Sequence, residues 1–94
     1  MLIQHEQQEQ KGSFYVEENG NRLAEMIYSM PSKELMIIGH TEVADELRGK
    51  NVGYQLVYTA VEFARANHLK ILPLCPFAKS VFDKKREEFG DVLK

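Results

Sequence analysis

The strongest constraint on this chain is a change of period near residue 44. Before it, apolar residues recur at every second position; after it, they recur at every third or fourth. Phe14, Val16 and Glu18 alternate with Tyr15 and Glu17, a short strand. Glu18-Asn19-Gly20-Asn21 then signals a hairpin, because Asn-Gly adopts the positive φ that tight turns require. Arg22–Met30 alternates again, with Leu23, Glu25, Ile27 and Ser29 on one face and Ala24, Met26, Tyr28 and Met30 on the other, and Pro31-Ser32 reads as its end. Leu35–Val43 is apolar enough to suggest a strand buried on both faces. An unbroken period of two puts Met36, Ile38, His40 and Glu42 on one side, and Ile37, Gly39, Thr41 and Val43 on the other. The polar tract Gln4–Gln10 suits an edge strand or a frayed start, and Gly12-Ser13 reads as the turn after it. Four strands joined by short turns predict an antiparallel meander.

Beyond a polar stretch at Ala44–Asn51, the spacing of Val52, Leu56, Ala60 and Ala64 predicts an amphipathic helix ending near Asn67-His68. Lys70–Leu74 reads as a fifth strand. Pro76–Glu88 reads as a second helix, opened by a proline that needs no N–H there, with Phe77, Val81 and Phe82 inward. The order β-β-β-β-α-β-α predicts an α+β fold: a single mixed, mostly antiparallel sheet of about five strands with two helices. Ninety-four residues suit one domain spanning residues 1–94.

Composition narrows the function classes. Hydrophobic residues at 44% and charged residues at 28% suit a packed core rather than wholesale disorder. A net charge of −2 lacks the basic footprint of a nucleic-acid binder. No apolar run reaches the roughly 20 residues of a membrane span. The N-terminus lacks the pattern of a secretory leader. The lone Cys75 fits a reducing compartment, and the three His residues show no metal-ligand spacing, so the expectation is a cytoplasmic protein without a structural metal. The polar first strand is a poor pairing surface, which favours a monomer.

The segment most informative about function is His40–Leu56, HTEVADELRGKNVGYQL. A strand, a glycine-containing polar loop and a helix start aim backbone N–H groups and the positive end of a helix dipole at one spot, which suits phosphate or pyrophosphate. Gly49 and Gly53 permit close approach, and Arg48 and Lys50 add charge. The plain alternative is a tight turn with solvated charges.

Arg48-Gly49-Lys50-Asn51-Val52-Gly53 resembles the R/Q-x-x-G-x-G/A loop of the GCN5-related N-acetyltransferases. With His40-Thr41-Glu42-Val43, the Leu47–Gly53 loop and Cys75-Pro76-Phe77, the pattern is similar to the short YjdJ-type branch of that superfamily. Two departures stand out. Asn51 occupies the loop's middle glycine position, a residue tolerant of left-handed backbone. Lys11–Phe14 is also too short to hold the helices that commonly build the acceptor groove.

The resemblance implies an acetyl-CoA-dependent N-acetyltransferase acting on an amine acceptor, either a protein lysine or a small amine. It implies a pantetheine arm along the fourth strand at Glu42, Val43 and Ala44. It also implies a pyrophosphate held by Arg48, Gly49, Lys50, Asn51, Val52, Gly53 and Tyr54, and a wall at Phe77 and Ser80. Cys75, at a helix start, reads as a general acid, an acyl-transfer nucleophile, a pocket wall or a small buried hydrophobe. His40 and Glu42, two positions apart on one strand face, are candidate bases for an acceptor ammonium; otherwise they are a hydrogen-bonded histidine and an ion-pair partner. Lys84-Lys85-Arg86 reads as a solvated face or a contact for the adenosine 3′-phosphate. The missing acceptor helices leave a second class open, a non-catalytic CoA-binding or protein-interaction module.

Overall fold

A computed structural model describes residues Met1–Lys94. Strands β1 (Gln4–Gln8), β2 (Lys11–Glu18), β3 (Asn21–Ser32), β4 (Leu35–Val43) and β5 (Lys70–Pro73) lie in that order in one sheet. The first four are antiparallel neighbours, and β5 runs parallel to β4. The helices are α1 (Val52–Ala66), α2 (Pro76–Lys84) and α3 (Arg86–Phe89). The mixed, mostly antiparallel α+β architecture is the one that the periodicity predicts.

Several local readings change. The first turn lies at Glu9-Gln10, with Glu9 at φ 55, and not at Gly12-Ser13. Gly12 sits inside β2 because a Cβ there would lie 2.3 Å from Tyr28 Oη; the glycine serves close packing rather than chain reversal. Pro31-Ser32 stays within β3, in an irregular stretch of the ladder where proline's missing N–H costs no pairing. The second helix breaks at Lys85 (φ −118, ψ 33) instead of running to Glu88. The break turns Phe89 back into the core, with its ring 5.7 Å from that of Phe82.

The core lies on one side of the sheet. Phe14, Met26, Tyr28, Met36, Ile38 and Ile71 pack against Leu56, Val57, Ala60 and Val61 of α1 and Ala78, Val81 and Phe82 of α2. The opposite face carries no helix, so β4 is buried on one face only and its second half is largely exposed. The C-terminal residues close the β5 edge: Ile71 N–H donates to the Val92 carbonyl at 2.6 Å, and Lys94 N–H donates to the Ile71 carbonyl at 2.8 Å. No helix is long and apolar enough to cross a membrane.

A bulge in β4 decides which side chains face where. Tyr28 pairs with Ile38, but Ile27 pairs with His40, leaving Gly39 as the extra residue. Parity therefore flips at Gly39. Met36 and Ile38 share the core face with Thr41 and Val43, which pair with the buried Met26 and Ala24. His40 and Glu42 move to the uncovered face, opposite Ile27 and Glu25. The unbroken alternation expected for Leu35–Val43 is thus overturned.

Candidate functional site

Pairing between β4 and β5 stops at Ile38 and Pro73. The N–H groups of Leu74 and Cys75 both donate to the Ile38 carbonyl, at 3.0 and 3.1 Å, and the chain then turns away into α2. β4 runs on through Gly39–Val43 with no strand on that side. The two elements splay, and a cleft of about 480 Å³ opens between the end of β4, the start of α1 and one side of α2.

The loop that feeds α1 is shaped by two left-handed residues, Gly49 at φ 82 and Asn51 at φ 62. Asn51 is the N-cap, yet neither its side chain nor any other caps the helix. The amides of Gly49, Asn51, Val52, Gly53 and Tyr54 have no acceptor within the protein. Helix starts leave such donors unsatisfied, with partial positive charge, unless a cap or ligand takes them up. Gly53 lies directly beneath the Phe77 ring: a Cβ on it would stand 2.6 Å from Phe77 Cζ. Phe77 is therefore not inward in the core; it is 41% exposed and forms part of the cleft wall.

Of the residues expected to hold a cofactor, Val43, Arg48, Gly49 and Asn51 line the cleft. So do Val52, Gly53, Tyr54, Phe77 and Ser80. Ala44 and Lys50 do not. The Ala44 N–H is spent on the Leu23 carbonyl at 2.7 Å, and the Lys50 N–H faces the Leu47 carbonyl at 3.3 Å. Arg48 is an exposed side chain paired with Asp45 at 2.9 Å. The cleft also takes in Thr41, Leu47 and Val81, and Lys84 and Lys85 stand on its rim. Thr41 escaped the sequence reading because only the Gly39 bulge turns it inward.

Cys75 is the N-cap of α2 and is 5% exposed. Its thiol donates to Thr41 Oγ1 at 3.4 Å. Burial pushes the thiol pKa up, but the thiolate accepts hydrogen bonds from the Thr41 hydroxyl, turned round once the thiol proton is gone, and from the amides of Ala78 and Phe77, and together these outweigh burial and leave the pKa below its ordinary value. His40 and Glu42 stand on the far side of the sheet from the cleft, both exposed, and Glu42 has no ion-pair partner. One strand thus presents Thr41 and Val43 to the cleft and His40 and Glu42 to the open face.

Comparison with known proteins agrees with this geometry. Residues 13–92 match the sequence model of the GCN5-related N-acetyl-transferase family. A candidate GCN5-like N-acetyltransferase from Staphylococcus aureus, solved by NMR, is 39% identical and superposes with a TM-score of 0.74, over 97% of this chain and 87% of that one. The ribosomal-protein-alanine N-acetyltransferase from Brucella melitensis biovar Abortus 2308 shares the fold at 15% identity and a TM-score of 0.68, over 82% of this chain and 62% of its own. AAC(6')-Iy, solved with the bisubstrate analog CoA-S-monomethyl-acetylneamine, shares it at 13% identity and a TM-score of 0.58, over 88% of this chain and 63% of its own. No curated protein sequence matches the chain. With a family match across most of its length and a close structural relative, the chain belongs to the GCN5-related N-acetyltransferase family.

Proposed function

We propose that this protein binds acetyl-CoA and transfers the acetyl group to an amine acceptor, as a member of the short YjdJ-type branch and a cytoplasmic monomer. The observation that carries the reading is the row of unsatisfied amides at Gly49 and Asn51–Tyr54, set at the mouth of the β4–β5 splay. These donors fit a pyrophosphate, which would take up every one of the orphan N–H groups within its reach. Arg48, Lys84 and Lys85 add positive charge for the phosphates, and Phe77 and Ser80 form the opposite wall. The free edge of β4 at Val43 offers backbone groups to a pantetheine arm.

When bound, acetyl-CoA supplies an activated thioester. Cys75 Sγ holds a proton beside Thr41 Oγ1, at the inner edge of the cleft, where it can serve as a general acid. The His40 imidazole and the Glu42 carboxylate lie on the face away from the cleft, so they can take the proton only of an acceptor ammonium that reaches the thioester from that face, through the gap between β4 and β5. A second reading, a CoA-binding or interaction module without turnover, draws on the two-residue Glu9-Gln10 turn, which leaves no element to wall in an acceptor. An NMR titration with acetyl-CoA and CoA tests the cofactor site. Shifts at Val43, Gly49–Tyr54 and Cys75 are expected, and none at millimolar ligand would overturn it. Release of free CoA thiol across an amine panel then separates turnover from binding alone.

A further inference from the structure

Three side chains bring hydroxyl groups to the cleft: Thr41, Tyr54 and Ser80. Their protons are not equally free. Ser80 Oγ donates to the Phe77 carbonyl at 2.8 Å. Tyr54 stands in the first turn of α1, among the orphan amides of the mouth, with Lys85 Nζ 5.5 Å from its ring centre. Thr41 is placed differently. The Gly39 bulge turns it to the cleft side, and it lies two residues inward of Val43 along the unpaired edge of β4. Its Oγ1 accepts the Cys75 thiol proton at 3.4 Å, while its own O–H has no acceptor within the protein. Cys75 is 5% exposed and does not line the cleft; Thr41 stands in front of it.

We propose that Thr41 is the catalytic residue that meets the CoA sulfur, and that its hydroxyl passes to that sulfur the proton held by Cys75. The inference rests on the acetyl-transfer reading and deepens it by naming the group that protonates the leaving thiolate. As the C–S bond of the tetrahedral adduct breaks, its electron pair goes to the CoA sulfur. The sulfur takes the Thr41 hydroxyl proton, and Thr41 Oγ1 takes the Cys75 thiol proton in the same motion. What remains is CoA thiol, an intact Thr41 hydroxyl and a Cys75 thiolate. The Ala78 and Phe77 amides at the start of α2 hold that thiolate until water returns its proton. Each partner needs the other. An aliphatic hydroxyl alone is too weak an acid for a thiolate, and a thiol this buried reaches the cleft only through the hydroxyl in front of it. The transfer runs downhill, because those hydrogen bonds make Cys75 a stronger acid than an ordinary alkyl thiol such as that of CoA. His40 and Glu42 cannot substitute, since they face the other side of the sheet.

The test uses the full chain and follows release of CoA thiol from acetyl-CoA with hydroxylamine, a nucleophile small enough to need no acceptor groove. Thr41→Val keeps the shape of the side chain and removes the hydroxyl; it should lower kcat about tenfold or more and leave KM unchanged. Thr41→Ser restores the hydroxyl and should recover most of kcat. Cys75→Ala should cost about as much as Thr41→Val, and the double variant no more than either, because the two groups move one proton as a unit. CoA-induced amide shifts at Gly49–Tyr54 should persist in every variant, reporting an intact fold and cleft. A Thr41→Val protein at full kcat, a Thr41→Ser protein as slow as Thr41→Val, or losses that multiply in the double variant would overturn the relay. The two readings fail separately. CoA shifts with no effect of Thr41→Val, or with no thiol release at all, sink the relay and keep the cofactor site. Absence of CoA shifts sinks the cofactor site and the relay with it.

Discussion

At Cys75 burial and hydrogen bonding oppose each other, and hydrogen bonding wins. Thr41 supplies the largest of the lowering contributions, so Thr41→Val should raise the midpoint of the pH profile for iodoacetamide alkylation of Cys75; an unmoved midpoint would remove Thr41 from this role. Because the folded thiol pKa lies below the unfolded one, the stability gain is present above the unfolded value and lost as pH falls through the folded one. His5 behaves in the same sense for a different reason. Its ring stacks on Phe14 at 4.3 Å, its Nε2 lies 2.6 Å from Tyr28 Oη, and burial lowers its pKa. The neutral ring is favoured in the fold, so stability is full above about pH 6.5 and declines as pH falls through the lowered value. Thermal melts should show that decline, and His5→Phe should flatten it; an equal decline in both would assign it to other groups. The left-handed backbone at Asn51 was legible from the glycine position it fills in the loop the chain resembles, together with asparagine's tolerance of that conformation. The role of His5 was not, because a histidine in a polar tract gives no sign of the Phe14, Tyr28 and Phe63 rings that tertiary folding brings to it.

Among the elements, α1 starts where its glycine can pass under an aromatic ring. Gly53→Ala puts a methyl group into the space of Phe77 Cζ. Phe77 is half exposed and its ring can swing out, while alanine is the better helix former by about 0.5–1 kcal/mol. The expected outcome is an unchanged or slightly raised Tm together with weaker acetyl-CoA binding by calorimetry. A fall in Tm with binding intact would mean that the ring is fixed and plays no part in the cleft. The helix and strand order was readable because each period persists over many residues. The break at Lys85 was not, because Phe82 and Phe89 are seven positions apart and an unbroken helix satisfies the same spacing.

For the whole molecule, the helices and one face of the sheet share a single cluster of 22 buried residues. We propose that residues 1–94 unfold as one unit. Urea transitions followed by far-UV circular dichroism and by tyrosine fluorescence should coincide, and separated midpoints would divide the chain into independent parts. The element order, the α+β class and the glycine-bearing loop before α1 were readable in the chain, because periodicity, turn chemistry and glycine placement are local properties. Only the tertiary structure decided which side of the sheet His40, Thr41, Glu42 and Val43 face. That choice depends on how β4 registers against β3 across the Gly39 bulge, and a register between distant segments leaves no local trace in the chain.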